Sequence, residues 1–433
     1  MLAALGVVAC GGKKSTSTAQ QHKLSGFKFR AFVSNPVFPT VGFNTPVVNI
    51  VNAINNQLST SNISLIGEST QPSLMAVSPD LSHTIVYSLS GNTVVVIDNA
   101  TESIASAPGG KTNVPVINLP GQTASMFIGN DDVTAYAAVP TATVLGQAPG
   151  AVVVMDLTIG SVTATIPVAG AQYIVGSPDG THILVFSNQS DNLTVIATAL
   201  IGSYTDPRTV VTGTSQSHFD RPVWAIFTDN STAYIFDCGP ECGGVAAGVT
   251  TYTLGNAAPG PNTPVSAATY GLVNGGTLYV AGSPPHTACG GGTAAPTCGT
   301  LNLLNANSLA LLNSPPILIT DGYHDRMQMG ANGQLFIGAQ GCYSVNNPGV
   351  EVRGCLSILN TNTSQVVIPQ QAGDATGIQP VPGQTPNVVY VCVGGVFQIY
   401  DTTTDLPLVQ PNGKITDIVG QSYDVKLVDP PPN

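Results

Sequence analysis

Two short segments of the chain combine histidine, aspartate and arginine, the side chains best able to move protons and hold negative charge. The segments are His218-Phe219-Asp220-Arg221, followed closely by Trp224, and Tyr323-His324-Asp325-Arg326. The chain has only five arginines and six histidines, so two segments that each combine a histidine, an aspartate and an arginine indicate a functional site. Imidazoles and carboxylates transfer protons, and guanidinium groups stabilise developing negative charge. On that basis the candidate catalytic residues of a hydrolase are His218, Asp220, His324 and Asp325.

The elements that must position these residues are short β-strands that repeat along the chain. The stretch from Gln71 to Ala100 predicts three antiparallel strands joined by turns at residues 78–80 and 90–92, where Ser, Pro, Asp, Gly and Asn concentrate. The second strands of eight such units start at residues 29, 84, 134, 182, 232, 277, 334 and 387. A four-stranded unit at this spacing is typical of a β-propeller blade, because so small a sheet buries its faces only by stacking on neighbours.

The two ends of the chain predict how the ring closes. The first unit lacks an apolar first strand before Phe27, and the last is followed by an orphan strand, SYDVKLV, at residues 422–428. Pairing the two would complete one blade and remove the open sheet edges. The predicted fold is therefore an all-β propeller over residues 27–429, with residues 430–433 as a tail. Eight blades are counted, or seven if the first unit packs outside the ring. Fourth strands are predicted at residues 161–170, 364–369 and 414–420.

Three sequence motifs resemble the YVTN type of β-propeller repeat. They are the SPDG turn at residues 177–180, TLYVAG at 277 and TVVVIDNA at 93. The resemblance extends loosely over residues 27–429 and implies a propeller fold. Lactonase-type propellers are similar too, although their acid and base residues do not map onto positions in this sequence.

In a propeller, the links between blades reach the same face as the loops between second and third strands, near the central channel. The two histidine-containing segments are predicted to lie in such links, and Glu68, Tyr173, Asp374 and Asp424 fall in matching ones. Together they would form a polar ring that binds a small anionic or sugar-like ligand, or holds a cation. The candidate ligand-binding residues are Arg221, Arg326, Trp224, Tyr323, Asp374 and Asp424. Alternatively, each Asp and Arg locks one blade to its neighbour.

Six cysteines pair by position. The predicted disulfides are Cys238 with Cys242, Cys289 with Cys298 and Cys342 with Cys355, each within the loop between the second and third strands of one blade. A metal site is the alternative, but the spacings do not repeat a C-x2-C pair. Cys392 lies inside an apolar strand and is predicted to be a buried free thiol.

The N-terminus resembles the signal of a bacterial lipoprotein. Residues 1–10 form a short apolar run that ends in Val7-Val8-Ala9-Cys10, like a lipobox, and residues 11–26 are polar and suit a flexible tether. The resemblance implies that Cys10 is lipidated, and the Gly after it favours the outer membrane. The other interpretation is a stray apolar segment with a chance cysteine.

Composition narrows the function further. Charged residues make up 8% of the chain and the net charge is -11, which argues against nucleic acid as a partner, because nucleic acid requires clusters of Lys and Arg. The sequence has none of the common hydrolase, nucleotide-binding or haem-attachment motifs, and no cofactor is expected. The predicted protein is a monomeric envelope lipoprotein that binds a small ligand, a glycan or a protein partner. The alternative is an extracytoplasmic hydrolase, similar to lactonases, with its site at the channel mouth.

Lipidation at Cys10 is directly testable. In a bacterial host that labels lipoproteins with a fatty-acid analogue, the full chain should incorporate label and sediment with membranes, and Cys10→Ser should do neither. Cys392→Ser is the matched control and should behave like the wild type. Labelling of Cys10→Ser at the wild-type level would show that Cys10 is not the lipidated residue.

Overall fold

The computed structural model describes residues 23–40, 43–68, 71–106, 116–214, 218–284, 298–342, 354–369, 371–408 and 418–432. These residues form eight antiparallel sheets. Their helical content is three short 3-10 turns at Thr198–Leu200, Gly239–Cys242 and Ala331–Gly333. No helix in this part of the chain has the length and apolar character needed to cross a bilayer.

The strands follow one pattern: each sheet has four strand positions, counted from the central channel outwards. Blade 1 contains β1 (Arg30–Thr40), β2 (Phe43–Asn52), β3 (Gln57–Ser64) and β33 (Val425–Leu427). Blade 2 contains β4 (Pro72–Val77), β5 (His83–Ser88), β6 (Thr93–Asp98), β7 (Ser103–Ile104) and β8 (Ile117–Asn118), and blade 3 contains β9 (Ser125–Ile128), β10 (Thr134–Val139), β11 (Ala151–Asp156) and β12 (Ser161–Pro167). Blade 4 contains β13 (Ala171–Gly176), β14 (His182–Ser187), β15 (Leu193–Ala197) and β16 (Arg208–Val211).

The remaining four blades continue the pattern. Blade 5 contains β17 (Pro222–Phe227), β18 (Thr232–Asp237), β19 (Gly248–Thr253) and β20 (Asn262–Pro264), and blade 6 contains β21 (Tyr270–Asn274), β22 (Thr277–Gly282), β23 (Gly299–Asn305) and β24 (Ile317–Ile319). Blade 7 contains β25 (Tyr323–Met329), β26 (Gln334–Gln340), β27 (Leu356–Asn360) and β28 (Gln365–Val367), and blade 8 contains β29 (Ala375–Val381), β30 (Val388–Val393), β31 (Val396–Asp401) and β32 (Leu406–Pro407).

The hydrophobic cores lie between blades. One core joins Val86 of β5 to Ile50 of β2, and the next joins Ile85 of the same strand to Val153 of β11. Neighbouring residues of one strand thus face two different cores, as the alternation of side chains along a strand requires. Similar clusters lie between the other adjacent blades. The second and third strands are apolar on both faces because each face is covered by a neighbour.

The chain is an eight-bladed β-propeller. The first strands contact one another in the circular order β33, β4, β9, β13, β17, β21, β25, β29 and back to β33. The predicted closure is confirmed, since Val425 and Leu427 of β33 pair with Val33 and Ala31 of β1. The eight predicted second strands and the third strands all appear as expected. The fourth strands of blades 3 and 7 also appear where predicted.

The last blade differs from the prediction at its outer edge. Its fourth strand is β32, at Leu406–Pro407, rather than residues 414–420. Residues 409–417 lie outside the described residues, and residues 418–420 are not in a strand. The apolar residue Ile418 packs into the core between blades 8 and 1, which explains an apolar residue at this position outside any strand.

Two of the predicted disulfides are present. Cys342 and Cys355 join the end of β26 to the start of β27, with 5.7 Å between their Cα atoms. Cys238 and Cys242, also 5.7 Å apart, do not face each other across strands but close a single 3-10 turn in the loop after β18. Cys289 lies outside the described residues, so its pairing with Cys298 remains a prediction. Cys392 is a buried free cysteine, as predicted. Disulfides indicate an oxidising, extracytoplasmic setting.

A buried ion-pair network holds both ends of the chain against blade 2. The guanidinium of Arg30 in β1 donates to both carboxylate oxygens of Asp429, at 2.7 and 2.6 Å, and to Glu102 at 2.9 Å. It also donates to the carbonyl of Asn99. Glu102 and Asn99 belong to blade 2, whereas Asp429 follows the closing strand. One side chain therefore joins the first strand, the last strand and the neighbouring blade.

Removing Arg30 should be costly, because Glu102 is 1% exposed and would keep a buried charge without its partner. We expect Arg30→Gln to lower the free energy of unfolding by about 3–5 kcal/mol, measured by urea denaturation. The control is Arg208→Gln, which removes the partly exposed pair with Asp206 and should cost under about 1 kcal/mol. Equal effects of the two substitutions would contradict a role for Arg30 in ring closure.

Candidate functional site

The register of the first strands determines which side chains reach the channel. In several blades this strand has an extra residue near its start, a β-bulge. Just after that level, Tyr173 pairs with Phe186, Trp224 with Phe236 and Arg326 with Gly338. Tyr270 reaches the same level without a bulge, opposite Ala281. Blades 4 to 7 thus place Tyr173, Trp224, Tyr270 and Arg326 at equivalent positions.

These four side chains line a cavity of about 230 Å³ in the central channel. All eight blades contribute to its wall, and the side of blades 2 and 3 is built from small or apolar residues such as Leu74 and Ser125. The charged members of the lining are Asp325, Arg326, Asp424 and Lys426. The cavity therefore has an aromatic side, formed by blades 4 to 6 together with Tyr323 of blade 7, and a charged side, formed by blades 7 and 1.

The aromatic side is a continuous group of rings. Trp224 and Tyr270 stack with their centroids 5.2 Å apart, and Tyr173 meets Trp224 edge to face at 6.3 Å. Tyr323 lies parallel to Tyr173, also at 6.3 Å. Burial raises the pKa of Tyr270 to about 12, so its hydroxyl is protonated at neutral pH. The rings offer an apolar wall with polar tips, which suits a ligand with both characters.

Arg326 and Asp325 form the charged centre of the opposite side. The Arg326 side chain, 17% exposed, donates from Nε to the carbonyl of Ala375 at 3.1 Å and from Nη2 to Asp325 at 3.3 Å. Asp325 also accepts a 2.5 Å hydrogen bond from Gln340. Burial raises the pKa of Asp325, and the adjacent Arg326 opposes that rise. The backbone of β29 and the side chain of Asp325 thus hold the guanidinium in place.

The closing strand contributes the remaining charges. Asp424 is 1% exposed; its carboxylate accepts hydrogen bonds from the backbone amide of Met75 at 2.9 Å and from Lys426 at 3.1 Å. The first of these bonds joins the closing strand to blade 2. Asp424 therefore serves ring closure as well as the cavity wall.

The structure places some residues of the predicted polar ring in the wall of the channel cavity and the others elsewhere. The predicted residues among the cavity lining are Tyr173, Trp224, Tyr323, Asp325, Arg326 and Asp424. His218, Asp220, Arg221, His324, Asp374 and Glu68 are not among them. Asp374 accepts a 2.6 Å hydrogen bond from the amide of Gly341, so it joins blade 7 to blade 8 as the structural alternative expected.

The two histidine-containing segments are not equivalent. Tyr323 to Arg326 lie within strand β25 rather than in a link, and the register aligns Arg326 with Trp224, not with Arg221. The resemblance of the two sequences is therefore offset. Asp220 accepts hydrogen bonds from the amides of Val245 and Ala246 at 2.9 and 2.7 Å, which fixes the loop after the Cys238–Cys242 disulfide.

The two candidate histidines lie in opposite environments. His218 is exposed. His324 is fully buried against Gly299 of the neighbouring blade, and neither ring nitrogen has a hydrogen-bond partner within the described residues. Burial lowers the pKa of His324 to about 4, against a smaller contribution from the Thr320 backbone. The imidazole is therefore neutral and lies in a blade interface, not in the cavity.

Sequence analysis missed Tyr270 and Lys426 as site residues. Tyr270 is the first residue of β21. It pairs with Ala281, the fifth residue of the TLYVAG strand, as Trp224 pairs with Phe236, the fifth residue of TAYIFD. Aligning first strands as well as second strands would have found it. No group of three or more His, Cys, Asp or Glu able to hold a metal occurs in the described ranges.

Comparison with known proteins supports the architecture alone. No protein-family model and no curated protein matches the sequence. Among solved structures, the chain is similar to a dihydro-heme d1 dehydrogenase, NirN, with a TM-score of 0.60 and 12% identity over 93% of this chain and 75% of that one. It is similar to the Dos1 propeller, with a TM-score of 0.53 and 8% identity over 82% and 86% of the two chains.

A third similar structure is a putative 6-phosphogluconolactonase from Bacteroides fragilis NCTC 9343, with a TM-score of 0.50 and 12% identity over 94% of this chain and 99% of that one. At such identities the likeness shows the fold and no activity. The class that fold and site define is an eight-bladed β-propeller with an aromatic and charged cavity in its channel.

The buried His324 predicts a specific sensitivity to acid. Its folded-state pKa, about 4, lies below the ordinary value, so the unfolded chain binds the proton first. The contribution of the neutral His324 to the free energy of unfolding is fully present above about pH 6.5. It is lost as the pH falls towards 4, and the loss is on the order of 3 kcal/mol. We expect His324→Leu to lose less stability than the wild type between pH 6.5 and 4, in urea titrations at several pH values.

The matched control is His218→Leu, which alters an exposed imidazole and should retain the wild-type acid sensitivity. If His324→Leu and the wild type lost stability in parallel over this range, the buried imidazole would not be the acid-sensitive group.

Proposed function

We propose that this protein is a binding module that takes a small anionic ring-bearing molecule, such as a sugar acid, in the channel cavity. The observation that supports the proposal is the placement of Arg326 at the wall of a cavity of about 230 Å³ that Tyr173, Trp224, Tyr270 and Tyr323 also line. An arginine fork recognises a carboxylate by paired hydrogen bonds, and the ring of a sugar packs against aromatic faces. A cavity of this size accepts a monosaccharide-sized ligand.

Arg326 is prepared for such a role by its surroundings. The Ala375 carbonyl and Asp325 fix its orientation, so little side-chain entropy is lost when a ligand binds. Asp325 is the main competitor for the guanidinium, and its raised pKa reflects the cost of keeping a carboxylate charged in the protein interior. A ligand carboxylate that binds Arg326 therefore meets a cation whose partner in the protein, Asp325, is itself costly to keep ionised.

The location and partners belong to the same proposal. The two disulfides support an oxidising compartment. We extend this to a lipid anchor at Cys10, a tether at residues 11–26 and attachment to the outer membrane, with the monomeric propeller presented to an envelope protein or glycan. Residues 1–22 lie outside the described residues, so this part rests on the sequence.

The hydrolase alternative has less support. Neither His218 nor His324 is among the residues that line the cavity. A lactonase-like reaction there would need a different general base, and Asp325 is the carboxylate placed for it, because a raised pKa brings a carboxyl group closer to neutrality.

Trp224 provides the readout for a direct test, because it is the only tryptophan in the chain and lines the cavity. We expect galacturonate to change the tryptophan fluorescence of the wild type and to raise its melting temperature, and galactose to do neither at the same concentration. Arg326→Gln should weaken galacturonate binding by about 10- to 100-fold, the effect of losing a charge-assisted hydrogen-bond pair. Arg326→Lys should fall between, because it keeps the charge and loses the fork.

The control variant is Arg208→Gln on outer strand β16, which should bind like the wild type. Circular dichroism establishes that each variant is folded. Equal binding of galactose and galacturonate, or full binding by folded Arg326→Gln, would contradict the proposal. Gluconolactone in the same panel checks the alternative, since ring opening by the wild type that is lost in Asp325→Asn would favour a hydrolase.

A further inference from the structure

A second cavity adjoins the first. It has a volume of about 170 Å³, and its wall includes Arg221, Gln172 and Cys242. Cys242 belongs to the disulfide-closed loop after β18, and Arg221 precedes the first strand of blade 5. This cavity therefore lies towards the loops of blades 4 and 5, whereas the channel cavity lies among the first strands.

Two tyrosines lie at the junction of the two cavities. Tyr173 and Tyr323 line both of them, together with Val223. The two rings come from blades 4 and 7, lie parallel within 11° and have their centroids 6.3 Å apart. The tyrosine pair thus bridges blades that are not adjacent, and it lies where the channel cavity meets the second one, called the mouth-side cavity below.

Each cavity has one arginine. Arg326 lines the channel cavity and Arg221 the mouth-side cavity. Arg221 donates from Nη1 to the Gln189 carbonyl, lies 3.4 Å from the exposed carboxylate of Asp191 and is 25% exposed. Its buried Nε has no hydrogen-bond partner within the described ranges. Arg221 is the one cation among the described residues in the wall of this cavity, and its partly exposed side chain would meet a ligand anion there.

The backbone conformation at Arg221 also supports a binding site. Arg221 has a φ of 57°, the left-handed region that residues other than glycine seldom occupy. Its amide donates to Asp191 at 3.1 Å, and the adjacent Asp220 anchors the following loop. Strained backbone of this kind concentrates at binding sites.

We propose that the two cavities form one site with two compartments, and that its ligand is an elongated dianion the size of an acidic disaccharide, with one anionic group at Arg326 and the other at Arg221. The tyrosine pair would contact the middle of the ligand. This inference rests on the proposed function of the channel cavity and specifies its ligand class: two anionic groups, one on each side of the tyrosine pair.

The test compares galacturonate with its dimer, digalacturonate, by the fluorescence of Trp224 and by calorimetry. We expect the dimer to bind the wild type at least about 10-fold more tightly. Once its first carboxylate has bound at Arg326, the second is held close to Arg221. Arg221→Gln should reduce the dimer's advantage to within about threefold. Arg208→Gln should retain the full advantage.

The outcomes separate the two proposals. If galacturonate binds in an Arg326-dependent manner but the dimer gains nothing, or if Arg221→Gln retains the gain, the two-compartment site is wrong and the proposed function stands. If neither ligand binds, the proposed function fails, and the two-compartment site fails with it. Asp191→Asn provides a second variant: it removes the competing carboxylate without altering Arg221, and should strengthen binding of the dimer.

Discussion

The structure depends on one constraint: a four-stranded antiparallel sheet that is apolar on both faces cannot exist in water without a neighbour on each side. Each core of this protein lies between two blades, so every blade supplies half of two cores. A linear stack would leave two apolar faces exposed at its ends. Closing the stack into a ring removes both ends, and the burial of apolar area then acts in favour of closure at every interface.

Ring closure has to be fixed by specific contacts as well as by burial, because apolar faces alone do not set a register. Here polar groups supply that specificity. Ser34 of β1 exchanges hydrogen bonds with the backbone of Asp424 and donates from its hydroxyl to the carbonyl of Ser73 in blade 2. Arg30 supplies the charged counterpart at the other end of the strand. Buried polar contacts of this kind favour one alignment, since any slip in register would leave them unpaired.

The fold could be predicted from the sequence because its determinants are local and repeated. The β-branched and aromatic residues of runs such as TAYIFD and TVVVID indicate strands, and turns such as Ser177-Pro178-Asp179 indicate where strands end. The closing strand was predictable for a different reason: an apolar segment without a partner at one end matched a missing strand at the other. The outer strands were harder, because β32 has two residues and little apolar character.

The site was only partly predictable, because channel position depends on strand register. A single-residue bulge decides which side chain reaches the channel, and nothing in the residue types of β25 announces one. That is why the sequence alone places His324 in the ring although the strand register turns it into a blade interface. Trp224 and Arg326 were found because rare residues stand out, whereas tyrosine occurs 13 times in the chain. Motif similarity between the two histidine-containing segments suggested an equivalence that the pairing of strands does not support.

Closure and site are physically joined, and this follows from where the closing strand runs. Strand β33 is the innermost strand of blade 1, and Asp424 just before it and Lys426 within it line the channel cavity. Asp424 shows the consequence: one carboxylate oxygen accepts the amide of Met75 in blade 2, and the other accepts Lys426 at the cavity wall. Its charge also contributes to the raised pKa of Arg326 across the channel. The cavity's charged side is therefore complete only in the closed ring, and an unclosed chain would lack the electrostatic environment that the binding proposal requires.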